Sequence, residues 1–236
     1  MRTLKQITNA LSKAVESLHF SEPIAHVYNP LAYAKRPHAQ YIERFGQPTK
    51  TVVLVGMNPG PFGMMQTGIP FGDVTMVKEF LQIEAPIDTP EDQHLKRPIA
   101  GFSCTRSEVS GSRLWGFVKD RFGDPDTFFK TFYVANYCPL VFLEAGGRNR
   151  TPDKLQPYEK RKLFEICDKA LLETVQFLGA RTVIGIGAFA FARVTQALKT
   201  MPVATGTILH PSPASPAANR GWAEQAEQQL HALGLL

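Results

Sequence analysis

The sequence contains few of the residues that build disulfide frameworks and metal sites. Its 236 residues include three cysteines, Cys104, Cys138 and Cys167, which lie far apart and show no CxxC or Cys/His spacing. Zinc sites and disulfide frameworks depend on closely spaced or paired cysteines, and an iron–sulfur cluster is usually held by four thiolates. We therefore expect no metal site, and we expect the chain to work in a reducing compartment, the cytoplasm.

Long uncharged segments are also lacking. Residues 1–20 include Arg2, Lys5, Lys13 and Glu16, so the apolar core of a secretory signal is not present there. No later segment reaches the run of about 20 apolar residues that a membrane span requires, and we expect no membrane partner. The chain shows no internal repeat, low-complexity tract or change in composition, which indicates one domain over residues 1–236.

Positive charge is in slight excess. The chain has 26 lysines and arginines against 21 acidic residues, a net charge of +5, and its pI is near 9.1. Such an excess favours a polyanionic partner, although it is also common in proteins that bind no nucleic acid. The cations concentrate in residues 96–121 and 148–162. Two solvated faces are the simpler interpretation of these segments unless a site lies beside them.

Four short apolar runs have the length and composition of buried strands. They cover residues 51–56, 131–136, 181–186 and 205–209. Helical periodicity is found at residues 4–18, 163–178, 188–199 and 221–233. Strands that are nearly all apolar and alternate with helices are typical of a parallel sheet covered on both faces. We therefore predict an α/β fold with three α/β/α layers and a small parallel sheet of about four strands.

Polar residues follow three of the predicted strands. Asn58 follows the first strand, Asn136 ends the second, and His210 comes directly after the fourth. Ligands of parallel sheets bind beyond the carboxyl ends of the strands, so we expect these side chains to converge on one pocket. The first loop, residues 56–64, contains three glycines and two prolines. It could be an ordinary strand-to-helix turn, and it lacks the terminal Gly-Lys-Ser/Thr of a nucleotide triphosphate site.

A dinucleotide-dependent oxidoreductase is a competing interpretation. Residues 185–190 read GIGAFA after a strand, which matches the G-x-G-x-x-A pattern of dinucleotide sites. Such sites hold the ribose with an acidic residue about 20 positions later. No aspartate or glutamate occurs between Gly187 and Trp222. We therefore interpret the two glycines as sites of close packing between strand and helix.

Six segments resemble, in order, the motifs of a known family. They are residues 27–31 (VYNPL), 56–64 (GMNPGPFGM) continuing to 66–72 (QTGIPFG), 107–115 (SEVSGSRLW), 136–140 (NYCPL), 210–213 (HPSP) and 219–222 (NRGW). Together they are similar to the single-strand-selective monofunctional uracil-DNA glycosylases. The resemblance implies the uracil-DNA glycosylase fold, hydrolysis of the N-glycosidic bond of uracil and of 5-hydroxymethyluracil in DNA, a role in base excision repair, and no organic cofactor.

The resemblance also implies roles for individual residues. Asn58 would orient the attacking water, and His210 would hydrogen-bond O2 of uracil as negative charge develops there. Asn136 would read the Watson–Crick edge, and Phe71 would stack on the flipped base. Gly60 stands where the classical uracil-DNA glycosylases have a tyrosine that blocks the methyl group of thymine, so this pocket is expected to admit oxidised 5-substituents such as hydroxymethyl. Two further residues, Met57 and Phe62, would complete the base-binding pocket.

The same resemblance implies contacts with DNA, in single-stranded and duplex form. The base must leave the stack before its glycosidic bond can be reached. The segment after His210 would fill the vacated space, and Ala214 stands there where animal members have an arginine. The residues expected to contact the DNA backbone are Ser110, Arg113, Ser212 and Arg220. A monomer is expected, associated with the nucleoid in a bacterium or with the nucleus in a eukaryote.

Two other functions remain open from the sequence. An enzyme with the same fold could prefer deaminated purines such as xanthine or hypoxanthine. The residues that line the pocket would determine this preference. The chain could also be a non-catalytic binder of single-stranded nucleic acid. Neither active loop contains a lysine, so a Schiff base with strand cleavage is not expected.

Overall fold

The computed structural model describes residues 1–236. Its seven strands are β1 (Ile24–Tyr28), β2 (Val52–Gly56), β3 (Phe132–Asn136), β4 (Val141–Glu144), β5 (Asn149–Arg150), β6 (Thr182–Ile186) and β7 (Ala204–Ile208). Its nine α-helices are α1 (Leu4–Glu16), α2 (Pro30–Tyr33), α3 (Lys35–Phe45), α4 (Met64–Thr67), α5 (Val109–Phe122), α6 (Pro125–Phe129), α7 (Pro157–Leu178), α8 (Ala188–Ala197) and α9 (Trp222–Ala232). Short 3₁₀ or π turns occupy Met76–Phe80, Gly101–Ser103, Pro152–Lys154 and Ala218–Arg220.

Four strands form a parallel sheet in the order β3-β2-β6-β7. These are the four predicted strands, each within one residue of its expected ends, so the prediction of a small parallel sheet is confirmed. Every residue of the central strand β2 is buried, whereas the edge strand β7 alternates between exposed and buried positions. This difference is expected because a central strand is covered by helices on both faces.

Helices cover both sides of the sheet. In one group, α7 contacts both α1 and α8, and α8 lies on β6 and β7. In a second group, α5 contacts both α6 and α9, α6 contacts the edge strand β3, and α9 contacts the edge strand β7. The arrangement is the predicted three-layer α/β/α fold. None of the helices combines the length and apolar character needed to cross a membrane.

The sequence did not predict a second, antiparallel sheet, in the order β1-β4-β5. In it Tyr28 pairs with Val141 and Val27 with Phe142. The strands have two to five residues and come from distant parts of the chain, so the periodicity of each alone is weak. Helix α5 was also not predicted. It contains Ser110, Gly111 and Gly116, which are poor helix formers, and it is stabilised by tertiary packing rather than by propensity.

The two glycines of the G-x-G pattern serve close packing, as predicted. A β-carbon at Gly185 would lie 2.2 Å from the backbone nitrogen of Phe191 in α8. Gly187 has φ +87°, a conformation that disfavours other residues, and a β-carbon there would lie 2.9 Å from Cβ of His210. At both glycines, other parts of the protein therefore fill the space that a dinucleotide would need.

We predict that Gly185→Ala destabilises the protein by about 1–3 kcal/mol, because the added methyl group must displace the backbone of α8. The matched control is Gly116→Ala, since nothing lies within 4 Å of a β-carbon at Gly116 in the middle of α5. That change should stabilise by about 0.5–1 kcal/mol. Urea unfolding of the two variants would measure both effects. Equal and small effects would contradict the packing at Gly185.

Candidate active site

The carboxyl edge of the parallel sheet opens into a cavity of about 410 Å³. The loops after β2, β3 and β7 meet there, as predicted from Asn58, Asn136 and His210. The residues lining the cavity are Met57, Asn58, Pro59, Gly60, Pro61, Met64, Phe71, Glu108, Ser110, Asn136, Asn149, Thr151, His210, Ser212 and Pro213. No lysine is among them, and the chain holds no cluster of three or more His, Cys, Asp or Glu side chains with metal-binding geometry.

The loops after β2 and β3 are joined through their backbones. The N–H of Tyr137 donates to the carbonyl of Gly56, and the N–H of Cys138 donates to that of Met57, each over 2.9 Å. A β-carbon at Gly56 would lie 2.5 Å from Oδ1 of Asn136 and 2.6 Å from the ring of Phe71. Glycine is therefore required at the end of β2, because it lets the amide of Asn136 and the aromatic ring of Phe71 approach each other.

Helix α5 supports Phe71 from behind. Phe71 has φ +54°, which costs on the order of 1–3 kcal/mol in a residue that is not glycine. Its carbonyl oxygen would lie 2.1 Å from a β-carbon at Gly111, so only a glycine in α5 fits there. The indole N–H of Trp115 donates to the carbonyl of the preceding Pro70 over 3.3 Å. The motif at residues 107–115 thus holds the ring of Phe71 against the cavity.

The amide of Asn58 has a fixed orientation. Its Nδ2 donates to the carbonyl of Leu140 over 3.1 Å, just before β4. Because Nδ2 is used in this bond, Oδ1 is left to accept a hydrogen bond from a molecule in the cavity. Asn58 can therefore hold a water through its oxygen, although a neutral amide is a poor base.

His210 is neutral at physiological pH. Burial lowers the pKa of its imidazole from 6.5 to about 4, and no hydrogen bond from its ring to another protein group counteracts this. The ring lies 6.1 Å from that of Phe71, measured between centroids. A neutral imidazole can donate one hydrogen bond to an oxygen on which negative charge develops, and burial strengthens that interaction.

Glu108 also lines the cavity, although no role was predicted for it. A β-carbon at Gly60 would lie 2.3 Å from Oε2 of Glu108, so the carboxyl group fills the space that the glycine leaves. Burial raises the pKa of this carboxyl, and the backbone amides of Phe62 and Ser110 act in the opposite direction. The contact joins segments almost 50 residues apart, and no short motif could have revealed it.

The other predicted residues occupy different positions. Of the base-binding set, Met57, Gly60, Phe71 and Asn136 line the cavity, whereas Phe62 does not. Its ring instead lies below Arg106, 4.0 Å from the guanidinium carbon, and below Arg97 at 5.5 Å. Of the DNA-contact set, Ser110 and Ser212 line the cavity, and Ala214 and Arg220 are exposed outside it. The remaining one, Arg113, is bonded to the loop after β7.

Known proteins are similar to this chain in sequence or in fold. The family model of the Uracil DNA glycosylase superfamily matches residues 43–232. The single-strand selective monofunctional uracil DNA glycosylase of Bos taurus is 47% identical over 228 residues, covering 96% of this chain and 84% of the relative. The protein of the same name from Mus musculus is 46% identical, with 96% and 82% covered. This chain belongs to the single-strand-selective monofunctional family of uracil-DNA glycosylases.

A solved structure of lower sequence identity shares the architecture. The crystal structure of wild-type SMUG2 from Pedobacter heparinus aligns with 97% of this uracil-DNA glycosylase family member and 98% of its own chain, with a TM-score of 0.67. At 19% sequence identity, this likeness concerns the fold alone. It supports the assignment of the parallel sheet and its flanking helices to the uracil-DNA glycosylase fold.

For this family member we predict that the imidazole of His210 titrates near pH 4 rather than 6.5, because burial disfavours the charged ring. Between these values the unfolded chain binds more protons, so the free energy of unfolding should fall as the pH is lowered from 6.5 to 4. An NMR titration of the histidine rings would measure this pKa. His38 also titrates at about 4, so His210→Gln is needed to assign the signal. A transition of His210 near 6.5 would contradict the prediction.

Proposed function

We propose that this chain is a monofunctional DNA glycosylase that hydrolyses the N-glycosidic bond of uracil in DNA, with Asn58 and His210 as its catalytic residues. The observation that carries the proposal is their placement on one lysine-free cavity, where the fixed amide of Asn58 presents an oxygen and the neutral ring of His210 can donate a hydrogen bond. A site of this kind has a holder for water and a donor for an anion, but no amine for a Schiff base.

Breaking the bond between C1′ and N1 leaves positive charge on the sugar and negative charge on the base. N1 departs with the bonding electron pair, and the charge spreads to O2 of uracil, where the N–H of His210 would stabilise it. The oxygen of a water held by Oδ1 of Asn58 then bonds to C1′. The water gives up a proton as it adds, and the departing base takes up a proton. Because the sugar cation reacts readily with water, a weakly basic amide suffices.

The walls of the cavity would recognise the base. The ring of Phe71 would stack on the extruded uracil, and the amide of Asn136 would pair with its Watson–Crick edge. In the structure the one hydrogen bond that Nδ2 of Asn136 donates goes to the sulfur of Met64, over 3.2 Å. Sulfur is a weak acceptor, so a uracil oxygen would replace it at little cost. Met57 would complete the wall beside Asn58.

The DNA strand would run over the rim of this cavity. Ser110 and Ser212 would contact phosphates beside the flipped nucleotide, Ala214 would face the vacated stack, and Arg220 would bind the backbone farther along. Beyond Phe62 lies a surface with three cations, none of which is part of an ion pair. These are Lys96, Arg97 and Arg106. Single-stranded and duplex DNA would both be attracted by it.

The proposal extends to the setting of the enzyme. It would act as a monomer, as a single domain over residues 1–236, and without a cofactor. It would start base excision repair wherever the DNA is kept, in the nucleoid of a bacterium or the nucleus of a eukaryote. The relatives are named uracil DNA glycosylases, and these names do not favour the two alternatives, a preference for deaminated purines or a non-catalytic binder of single strands.

We predict that Asn58→Ala and His210→Ala each lower the single-turnover rate of uracil release by about 100-fold to 1000-fold, the effect expected when one group that acts on the transition state is lost. The rates would be measured as release of free base from a single-stranded oligonucleotide with one uracil. Wild-type protein should leave an intact strand with an abasic site. Binding of the oligonucleotide without base release would instead identify a non-catalytic binder, and spontaneous strand cleavage would contradict a monofunctional mechanism.

Glu108 would determine which substituents at the 5-position of the base the pocket accepts. Its carboxyl group lies against Gly60, on the wall where a 5-substituent is expected. A hydroxymethyl group can hydrogen-bond to this carboxyl group, whereas the methyl group of thymine would desolvate it without compensation. 5-Hydroxymethyluracil would therefore be a second substrate.

We predict that Glu108→Leu lowers the release of 5-hydroxymethyluracil relative to uracil by about 10-fold, which corresponds to one lost hydrogen bond to a charged or polar group. Glu108→Gln should keep most of the wild-type ratio between release of 5-hydroxymethyluracil and release of uracil, because the glutamine amide still hydrogen-bonds to the hydroxyl group. Both bases would be assayed in the same single-stranded sequence. An unchanged ratio in the leucine variant would exclude Glu108 from recognition of the substituent.

A further inference from the structure

The ring of His210 is held in place by its neighbours in the chain and not by bonds of its own. No hydrogen bond from the ring to another protein group acts on its pKa. The residues on either side are instead fixed through their backbones. The N–H of Leu209 donates to Oε1 of Gln229 over 2.7 Å, and the indole N–H of Trp222 donates to the carbonyl of Leu209 over 2.7 Å. Both partners belong to α9, so the chain before His210 is anchored to that helix.

The chain after His210 is anchored to a different element. Nη1 of Arg113, in α5, donates to the carbonyl of Pro211 over 3.2 Å, and Nη2 donates to Oδ1 of Asn219 over 2.9 Å. Nδ2 of Asn219 in turn donates to the carbonyl of Pro213 over 2.9 Å. One guanidinium group thus connects α5 with two points of the loop at residues 210–219.

The composition of this loop explains why outside donors are needed. Pro211, Pro213 and Pro216 have no N–H, so the loop has few donors with which to satisfy its own carbonyl groups. The carbonyls of Pro211 and Pro213 receive their hydrogen bonds from the side chains of Arg113 and Asn219. The forked guanidinium group can reach two acceptors at once, which an ammonium group cannot do with the same geometry.

We propose that Arg113, bridged by Asn219, is a positioning residue that sets the place of the His210 ring in the cavity. The proposal rests on the catalytic role proposed for His210, and it replaces the phosphate contact expected of Arg113 from the sequence. Two of the guanidinium nitrogens are already bonded to the protein, and the side chain is half-buried. Two of its five N–H donors are used in this way, so the loop orients the guanidinium group before any phosphate is bound.

The two roles of Arg113 predict different measurements. A phosphate contact would weaken oligonucleotide binding in Arg113→Met and would reduce the salt dependence of binding by about one charge. A positioning residue would leave the affinity and its salt dependence unchanged and would lower the single-turnover rate of uracil release. We expect a loss of about 10-fold to 100-fold, because a displacement near 1 Å of a catalytic group can cost this much.

Two more variants separate position from charge. Arg113→Lys keeps the positive charge but loses the forked guanidinium group. If geometry matters, this variant should release uracil as slowly as Arg113→Met. If charge alone matters, it should release uracil at the wild-type rate. Asn219→Ala keeps the arginine and removes the bridge to Pro213. It should lower the rate in the same way, and the double variant Arg113→Met with Asn219→Ala should be no slower than the slower single variant.

The matched control is Arg121→Met. Arg121 lies on the same helix and also connects it to the C-terminal part of the chain, through an exposed ion pair with Glu227 at 3.0 Å. Its loss should change neither rate nor fold. Thermal unfolding of all variants would show whether they are folded. The inference is overturned if Arg113→Met releases uracil at the wild-type rate while His210→Ala does not, or if affinity falls and the rate at saturation is unchanged. If His210→Ala is fully active, the proposed catalytic role itself has failed.

Discussion

The site depends on the close approach of backbones at one edge of a parallel sheet. Because parallel strands end together, loops that start near residues 56, 136 and 208 meet, although they are far apart in the sequence. Two glycines permit the contact. A side chain at Gly56 would collide with Asn136 and Phe71, and one at Gly187 would collide with His210. Larger residues at either position would push the functional side chains out of reach of each other.

Burial then determines the chemistry of these side chains. The same cavity that lowers the pKa of His210 raises the pKa of Glu108, because removal from water disfavours the charged form of both. A site with a neutral histidine and an amide oxygen that is free to accept a hydrogen bond acts through oriented dipoles. Such a site suits a reaction in which negative charge develops on the leaving base. The sugar cation reacts readily with water, so the water needs little activation.

Much of this arrangement was predictable from the sequence. The buried strands β2, β3 and β6 are continuous apolar runs, so their ends were found within one residue, and the sheet rule then brought Asn58, Asn136 and His210 together. These are local patterns combined with one rule of topology. The resemblance of the motifs to a glycosylase family added the roles of the residues, and family membership was confirmed by relatives at 46–47% identity.

The rest depends on contacts between distant segments, which periodicity does not encode. The antiparallel sheet of β1, β4 and β5 forms only when strands about 115 residues apart pair. The carboxyl group of Glu108 reaches the cavity because Gly60 has no side chain, and Phe62 turns away from the cavity toward two arginines. Arg113 was predicted to contact phosphate because its two acceptors, the carbonyl of Pro211 and Oδ1 of Asn219, are about 100 residues away in the sequence and are brought to it only by the fold.

The most direct test of this account is the crystal structure of a complex with single-stranded DNA that contains 2′-fluoro-2′-deoxyuridine. The fluorine disfavours positive charge on the sugar and so slows cleavage. We predict that the uracil lies in the cavity, stacked on Phe71, with O2 within about 3.2 Å of a ring nitrogen of His210 and with a water bound to Oδ1 of Asn58 facing C1′. A uracil bound outside the cavity, or one whose O2 faces away from His210, would contradict it.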